Sequence, residues 1–223
     1  MSDPTVSRCA DAGEVADRTA QVVATAIDAA RAVRGEAHVA LSGGSTVAAV
    51  YDRLNALVPE WSDVHLWYGD ERVVPLDDAE STHRLATEHL DAPGATWHPV
   101  AVDRGPEGAA EAYAAELGDT VLDVAINGMG PDGHTASLFP GFPQVQQEGI
   151  CLAVRDSPKP PPERVTLTLG KLNEAHRILL VVTGADKAPM LARVIAGPEP
   201  DVPASLLDRG SLEIVADEGA LDG

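Results

Sequence analysis

Asp132 and His134 lie two residues apart in the run Asn127-Gly128-Met129-Gly130-Pro131-Asp132-Gly133-His134-Thr135-Ala136-Ser137-Leu138-Phe139-Pro140-Gly141. A neutral imidazole is suited to take a proton from water near neutral pH, and a nearby carboxylate can set its tautomer or shape the loop. The plainer reading is a glycine-rich turn whose histidine caps a neighbouring element. A second candidate is Ser42-Gly43-Gly44-Ser45-Thr46, where N–H groups, flexible glycines and hydroxyls could cradle a phosphate at a helix start. It lacks the Gly-Lys-Ser/Thr ending of a nucleotide triphosphate loop. Ser45 or Thr46 could equally be a simple helix N-cap. Asp70-Glu71-Arg72 reads as a charged turn, and Arg164 and Lys187 are single cations at expected strand ends.

These groups need a scaffold that brings them to one edge. Val15, Val22, Val23, Ala26, Ile27, Ala30 and Val33 recur at helical spacing, which predicts an amphipathic helix over Glu14 to Arg34, ended by Gly35. Val39-Ala40-Leu41 then predicts a strand before the Ser42–Thr46 loop, with a helix through Val47, Val50, Tyr51 and Leu54 after it. Val64 to Tyr68 is the next strand, and Ser81 can cap a helix reaching Leu90. Glu107 to Leu117 is helical, and Val121 to Ile126 is a buried strand leading into the Asp132 loop. Further strands are expected over Ile150 to Val154, Val165 to Leu169, Ile178 to Val182 and Leu212 to Val215. Helices are expected over Lys187 to Ile195 and near Ala204 to Leu207. Pro158-Lys159-Pro160-Pro161-Pro162 reads as a stiff, extended surface loop. Strands alternating with helices predict an α/β layered fold around a mostly parallel sheet, flanked by helices. In such sheets ligands bind beyond the carboxyl ends of the strands, which places the candidate loops together.

The 223 residues suit one domain, 1–223. A net charge of −19 makes nucleic acid and anionic membranes poor partners, because both need clustered Lys and Arg. The few cations near loops are therefore informative. Cys9 and Cys151 have neither metal-ligand spacing nor a disulfide framework. The first residues lack a signal-peptide pattern, and no apolar run approaches membrane-spanning length, so a soluble cytoplasmic protein is expected. A monomer is expected as well. Gly128 to Gly133 also matches Gly-x-Gly-x-x-Gly. Pro140 and Gly141 come too soon for the long helix a dinucleotide needs, and Glu148 precedes a strand instead of closing one.

As an ordered set, Leu41 to Thr46, Asp70-Glu71-Arg72 with Val74-Pro75, the Gly128–Gly141 run, Arg164-Val165-Thr166 and Thr183 to Ala188 resemble the 6-phosphogluconolactonases of the glucosamine-6-phosphate isomerase/6-phosphogluconolactonase family. The resemblance runs from the first helix to the last strand. The Asp-Gly-His-Thr-Ala-Ser-Leu-Phe-Pro-Gly stretch is its most specific part, whereas the Ser-Gly-Gly-Ser-Thr loop is shared with the deaminases. It implies a Rossmann-like α/β fold, a small-molecule phosphosugar lactone as substrate, hydrolysis in the oxidative pentose phosphate pathway, no cofactor and no metal. On this reading His134 is the general base and Asp132 orients it. Arg72 either stabilises the oxyanion or positions substrate. Ser42, Gly43, Gly44, Ser45, Thr46, Asp70, Arg164 and Lys187 form the substrate and phosphate site.

Thr82 stands where such lactonases commonly have Asn, and Asn127 where an apolar residue is usual. These departures leave open how the loop after Asp70-Glu71-Arg72 is fixed. A sugar-phosphate isomerase or deaminase, or a sugar-phosphate sensor without turnover, are the alternatives. Against a deaminase, Phe139 falls where those relatives carry a glutamate for ring opening, and Arg72 where they carry a tyrosine.

Overall fold

The apolar runs become strands, and most of the amphipathic segments following them become helices. The computed structural model describes residues 3–223. The strands are β1 (Thr5–Cys9), β2 (Ala37–Leu41), β3 (Val64–Tyr68), β4 (Asp70–Arg72), β5 (Thr96–Trp97), β6 (Val124–Gly128), β7 (Cys151–Val154), β8 (Arg164–Leu167), β9 (Ile178–Val182) and β10 (Leu212–Asp217). The helices are α1 (Ala12–Arg34), α2 (Ser45–Leu57), α3 (Thr82–His89), α4 (Gly105–Leu117), α5 (Leu169–Asn173), α6 (Ala188–Ala196) and α7 (Glu218–Asp222). The first helix shows how local chemistry sets the boundaries. The Asp11 side chain accepts the Glu14 N–H at its start, and Gly35 adopts the left-handed conformation that stops it. Its Val15, Val23 and Ile27 face is fully buried.

Seven strands form one parallel sheet in the order β1-β10-β9-β6-β2-β3-β5. Every residue of β9, Ile178 to Val182, is buried, as expected for a parallel strand covered on both faces. From β2 the chain steps outward to β3 and β5, then returns past β2 to β6 and continues the other way through β9 and β10. This reversal leaves a crevice between the carboxyl ends of β2 and β6, the place where open α/β sheets hold ligands.

A second sheet, β4-β8-β7, is antiparallel. Asp70-Glu71-Arg72 is therefore a strand and not a turn, paired Asp70 to Thr166 and Arg72 to Arg164. Its sequence hides this, because no apolar alternation marks a strand whose pairing comes entirely from β8. Gly69 joins the two sheets: its N–H donates to Leu41 O at 2.8 Å and its carbonyl accepts from Leu167 N at 2.8 Å. Other boundaries differ from expectation: the strand expected over Val165 to Leu169 ends at Leu167, and Leu169 opens α5 instead. The Val121–Ile126 strand starts at Val124, because the Asp123 carboxylate accepts the His38 N–H and pairs with Arg34. Lys187 belongs to a single 3-10 turn over Ala185–Lys187, and α6 begins after it.

Candidate active site

Tyr51, on the buried face of α2, fixes the start of the glycine loop. Its hydroxyl accepts Ser42 N–H at 2.9 Å and donates to Ser42 O at 2.8 Å. Burial pushes its pKa far up, so it remains a neutral donor. Gly44, with φ of 111°, occupies the N-cap of α2 and no side chain caps the helix, so its first N–H groups stay available to a ligand. Thr46 Oγ1 instead meets Thr183 Oγ1 at 2.9 Å, tying the loop to the end of β9. The Arg72 guanidinium lies over this loop: a Cβ on Gly43 would sit 3.7 Å from Arg72 Nη2 and 3.4 Å from Thr82 Oγ1. Arg72 Nη1 donates to Glu80 O at 2.5 Å. Both Arg72 Nε and Thr82 Oγ1 are buried without a hydrogen-bond partner in the chain, which is costly unless a ligand completes them. Lys187 lines the same cleft, its ammonium 2.5 Å from Asp186 Oδ2.

Glu71 is fully buried and holds the next turn in place. Its carboxylate accepts from the N–H groups of Arg72, Thr82 and His83 and from Ser81 Oγ, at 2.7 to 3.0 Å. Burial raises its pKa against those four donors. This arrangement fixes the loop after Asp70-Glu71-Arg72 despite Thr82. The other departure, Asn127, is also accommodated: its Nδ2 donates to Ala125 O at 3.1 Å within β6.

Beyond β6, Asp132 Oδ1 and His134 Nδ1 are 2.5 Å apart. With Nδ1–H directed to the carboxylate, Nε2 carries the free lone pair, the tautomer a general base needs. Burial holds the imidazole below its ordinary value, while Asp132 pulls the other way. Burial favours the neutral acid at Asp132 too, but His134 and Lys159 bring its pKa below the ordinary carboxylate value. Gly130 is indispensable beneath this pair, since a Cβ there would lie 2.0 Å from His134 Cε1 and 2.5 Å from Asp132 Oδ1. Phe139 is fully buried with its ring 4.8 Å from the imidazole, so an apolar ring and not an acid occupies that side.

Arg164 does something other than reach freely for an anion. It is 5% exposed. Its Nε donates to Pro161 O and its Nη2 to Lys159 O and Pro160 O, each at 3.1 Å. Asp70 accepts from Ser137 Oγ at 2.6 Å and lies 4.0 Å from Arg164 Nη1, so it orders neighbours inside the cleft wall. The proline segment so anchored brings Lys159 into the cleft, with Nζ 3.4 Å from His134 Nδ1 and 3.9 Å from Asp132 Oδ1. Sequence reasoning missed Lys159. The available signal was a lone lysine inside a rigid proline run just before Arg164.

One cleft of about 460 Å³ is thus lined by Ser42 to Thr46, Asp70, Arg72, His134, Lys159, Arg164 and Lys187. Asp132 stands behind His134. Glycine-loop amides, Arg72 and Lys187 gather at the β2 and β9 ends, and the imidazole, carboxylate and Lys159 at the β6 end. Such an arrangement has the groups to hold an anion at one end and to accept a proton at the other. Among the described residues, no group of His, Cys, Asp and Glu side chains is arranged to hold a metal ion, and no helix is long and apolar enough to cross a membrane.

A family model described as glucosamine-6-phosphate isomerases/6-phosphogluconolactonase matches residues 10–216. A 6-phosphogluconolactonase of Mycobacterium tuberculosis is 42% identical over 201 residues, covering 81% of each chain. The Homo sapiens 6-phosphogluconolactonase is 42% identical over 200 residues, 81% of this chain and 78% of that one. Among solved structures, 6-phosphogluconolactonase from Trypanosoma cruzi superposes with a TM-score of 0.88 at 28% identity, covering 100% of this chain and 98% of the other. A monomeric glucosamine-6-phosphate deaminase shares the fold, with a TM-score of 0.83 at 20% identity.

Proposed function

Since the chain belongs to the glucosamine-6-phosphate isomerase/6-phosphogluconolactonase family, we infer that it hydrolyses 6-phosphogluconolactone to 6-phosphogluconate in the pentose phosphate pathway. The observation that carries this reading is the His134 imidazole, pinned through Nδ1 to Asp132, in the same cleft as a glycine loop overlaid by Arg72. His134 Nε2 takes a proton from water, whose oxygen attacks the lactone carbonyl. General base catalysis of this kind typically contributes about a hundred- to ten-thousand-fold. The phosphate lies on the amides of Gly43 to Thr46, with Arg72 and Lys187 as its cations. The position of the Arg72 guanidinium over Gly43 supports Arg72 as a phosphate ligand in preference to an oxyanion donor. Asp70 and Arg164 shape the wall between the two ends. The protein acts as a monomer in the cytoplasm, with this small molecule as its partner.

The test is hydrolysis of freshly generated 6-phosphogluconolactone, with spontaneous opening subtracted, beside ammonia release from glucosamine 6-phosphate. Turnover of the first and none of the second is expected, because Phe139 cannot transfer a proton. A lactone rate no faster than buffer, with tight 6-phosphogluconate binding, would leave a sensor without turnover.

A further inference from the structure

We propose that Lys159 is a catalytic residue of this hydrolysis: its ammonium binds the lactone carbonyl oxygen and takes the negative charge of the tetrahedral intermediate. The inference rests on the lactonase reading above. At the proton-transferring end of the cleft the base has been found, but the stabiliser of the developing oxyanion has not. Arg72 lies over Gly43, at the phosphate loop, and donates to Glu80 O. The Arg164 guanidinium gives Nε and Nη2 to three backbone carbonyls, and its Nη1 faces Ser137 Oγ at 3.5 Å and the Asp70 carboxylate. Lys187 is paired with Asp186 beyond β9. Lys159 alone of these cations touches the dyad.

Its donors are also free to act. Among the described residues, the sole polar atom within hydrogen-bond distance of Lys159 Nζ is His134 Nδ1 at 3.4 Å, and that nitrogen is already committed to Asp132. Three N–H donors therefore stand beside the base without an acceptor of their own. The backbone beneath them is fixed. The Lys159 carbonyl accepts from Ser157 Oγ at 2.8 Å and from Arg164 Nη2, and its N–H donates to Ser157 Oγ at 3.2 Å. A rigid root with a side chain 40% exposed lets the ammonium turn from Asp132 to a substrate oxygen at little cost.

The electron flow closes. His134 Nε2 removes a proton from water, the water oxygen bonds to the carbonyl carbon, and the π pair moves to the carbonyl oxygen, where Lys159 meets it. Collapse restores the carbonyl and breaks the bond to the ring oxygen. That oxygen takes the proton from His134 and leaves as a hydroxyl, and the new carboxylic acid releases a proton to solvent. A cation aimed where charge develops favours the intermediate over the neutral substrate. The same positive charge favours neutral His134, adding to burial and opposing Asp132 and Asp70.

The experiment compares wild type with Lys159→Met, Lys159→Arg and Lys159→Ala on freshly generated lactone, with thermal melts as the check on folding. Removal of one oxyanion donor is expected to lower kcat by about a hundredfold or more in Lys159→Met, with KM nearly unchanged. Lys159→Arg recovers part of the loss, and added ethylammonium restores turnover to Lys159→Ala in a saturable way. In NMR titrations of Lys159→Met the His134 imidazole should protonate at higher pH than in wild type. A Lys159→Met kcat within about threefold of wild type, or a loss confined to KM without amine rescue, overturns the proposal. A wild-type protein without turnover overturns the lactonase reading together with it, whereas an active wild type with an unaltered variant overturns this inference alone.

Discussion

At the residue scale the proposed chemistry rests on one imidazole, that of His134, held through Nδ1 by Asp132. Replacing His134 with Gln keeps a polar side chain but removes the proton acceptor. We expect kcat to fall by about a hundredfold or more while a 6-phospho-sugar acid still binds, as a two-sided measurement of kcat and product affinity would show. The pH dependence has a definite sign. A base works unprotonated, and burial places the His134 pKa below the ordinary imidazole value of about 6.5, so kcat/KM is flat near neutrality and drops on the acid side. An acid limb above that value would contradict the assignment. Asp132 and His134 were legible because they are sequence neighbours of the same loop. Lys159 was not, since its contact with His134 spans 25 positions and depends on carbonyls captured by Arg164.

At the element scale, small strands and capped turns do the positioning. The sequence reading puts Arg164 with the substrate and phosphate ligands; in the structure it lines the cleft and also grips the proline segment between β7 and β8, and we propose that this second task is its main one. Arg164→Ala would release that segment and leave the buried Asp70 without its cation. Loss of one partner from a buried pair typically removes roughly 3 kcal/mol or more. The expected result is a lower urea midpoint together with proportional rate losses on phosphorylated and unphosphorylated lactones. A loss confined to the phosphorylated substrate would return Arg164 to the phosphate. Glu71 was equally hard to foresee, because a charged triplet reads as a solvated turn until its four amide and hydroxyl donors are seen around it. The parallel strands, by contrast, were readable from apolar runs closed by glycine, as Ile178 to Val182 shows.

For the molecule as a whole, several histidines report on acid stability. His65 is stacked between His38 and His98 and burial holds its pKa low, and burial does the same to His83. Both take up protons more readily once unfolded. The unfolded chain therefore binds more protons between their folded values and about 6.5, and stability decreases as pH falls through that window. Thermal melts at pH 7.5 and 5.5 are expected to show a drop in Tm, smaller in His65→Gln than in wild type. An equal drop in both would remove His65 as a contributor. The sheet order was not readable from sequence, because strand neighbours such as β2 and β6 are set by tertiary pairing and not by any local pattern.

The return of the chain past β2 to β6 makes turnover a reporter of folding. Loops 42–46, 128–137, 159–164 and 183–187 become one cleft only after strands distant in sequence have paired. No half of the protein carries a working remnant of the site. Long-range pairings of this kind form late and collectively, so catalytic activity in rising urea should vanish along the same curve as the helical circular dichroism signal. A residual rate thus counts surviving native molecules, not a partly melted catalyst.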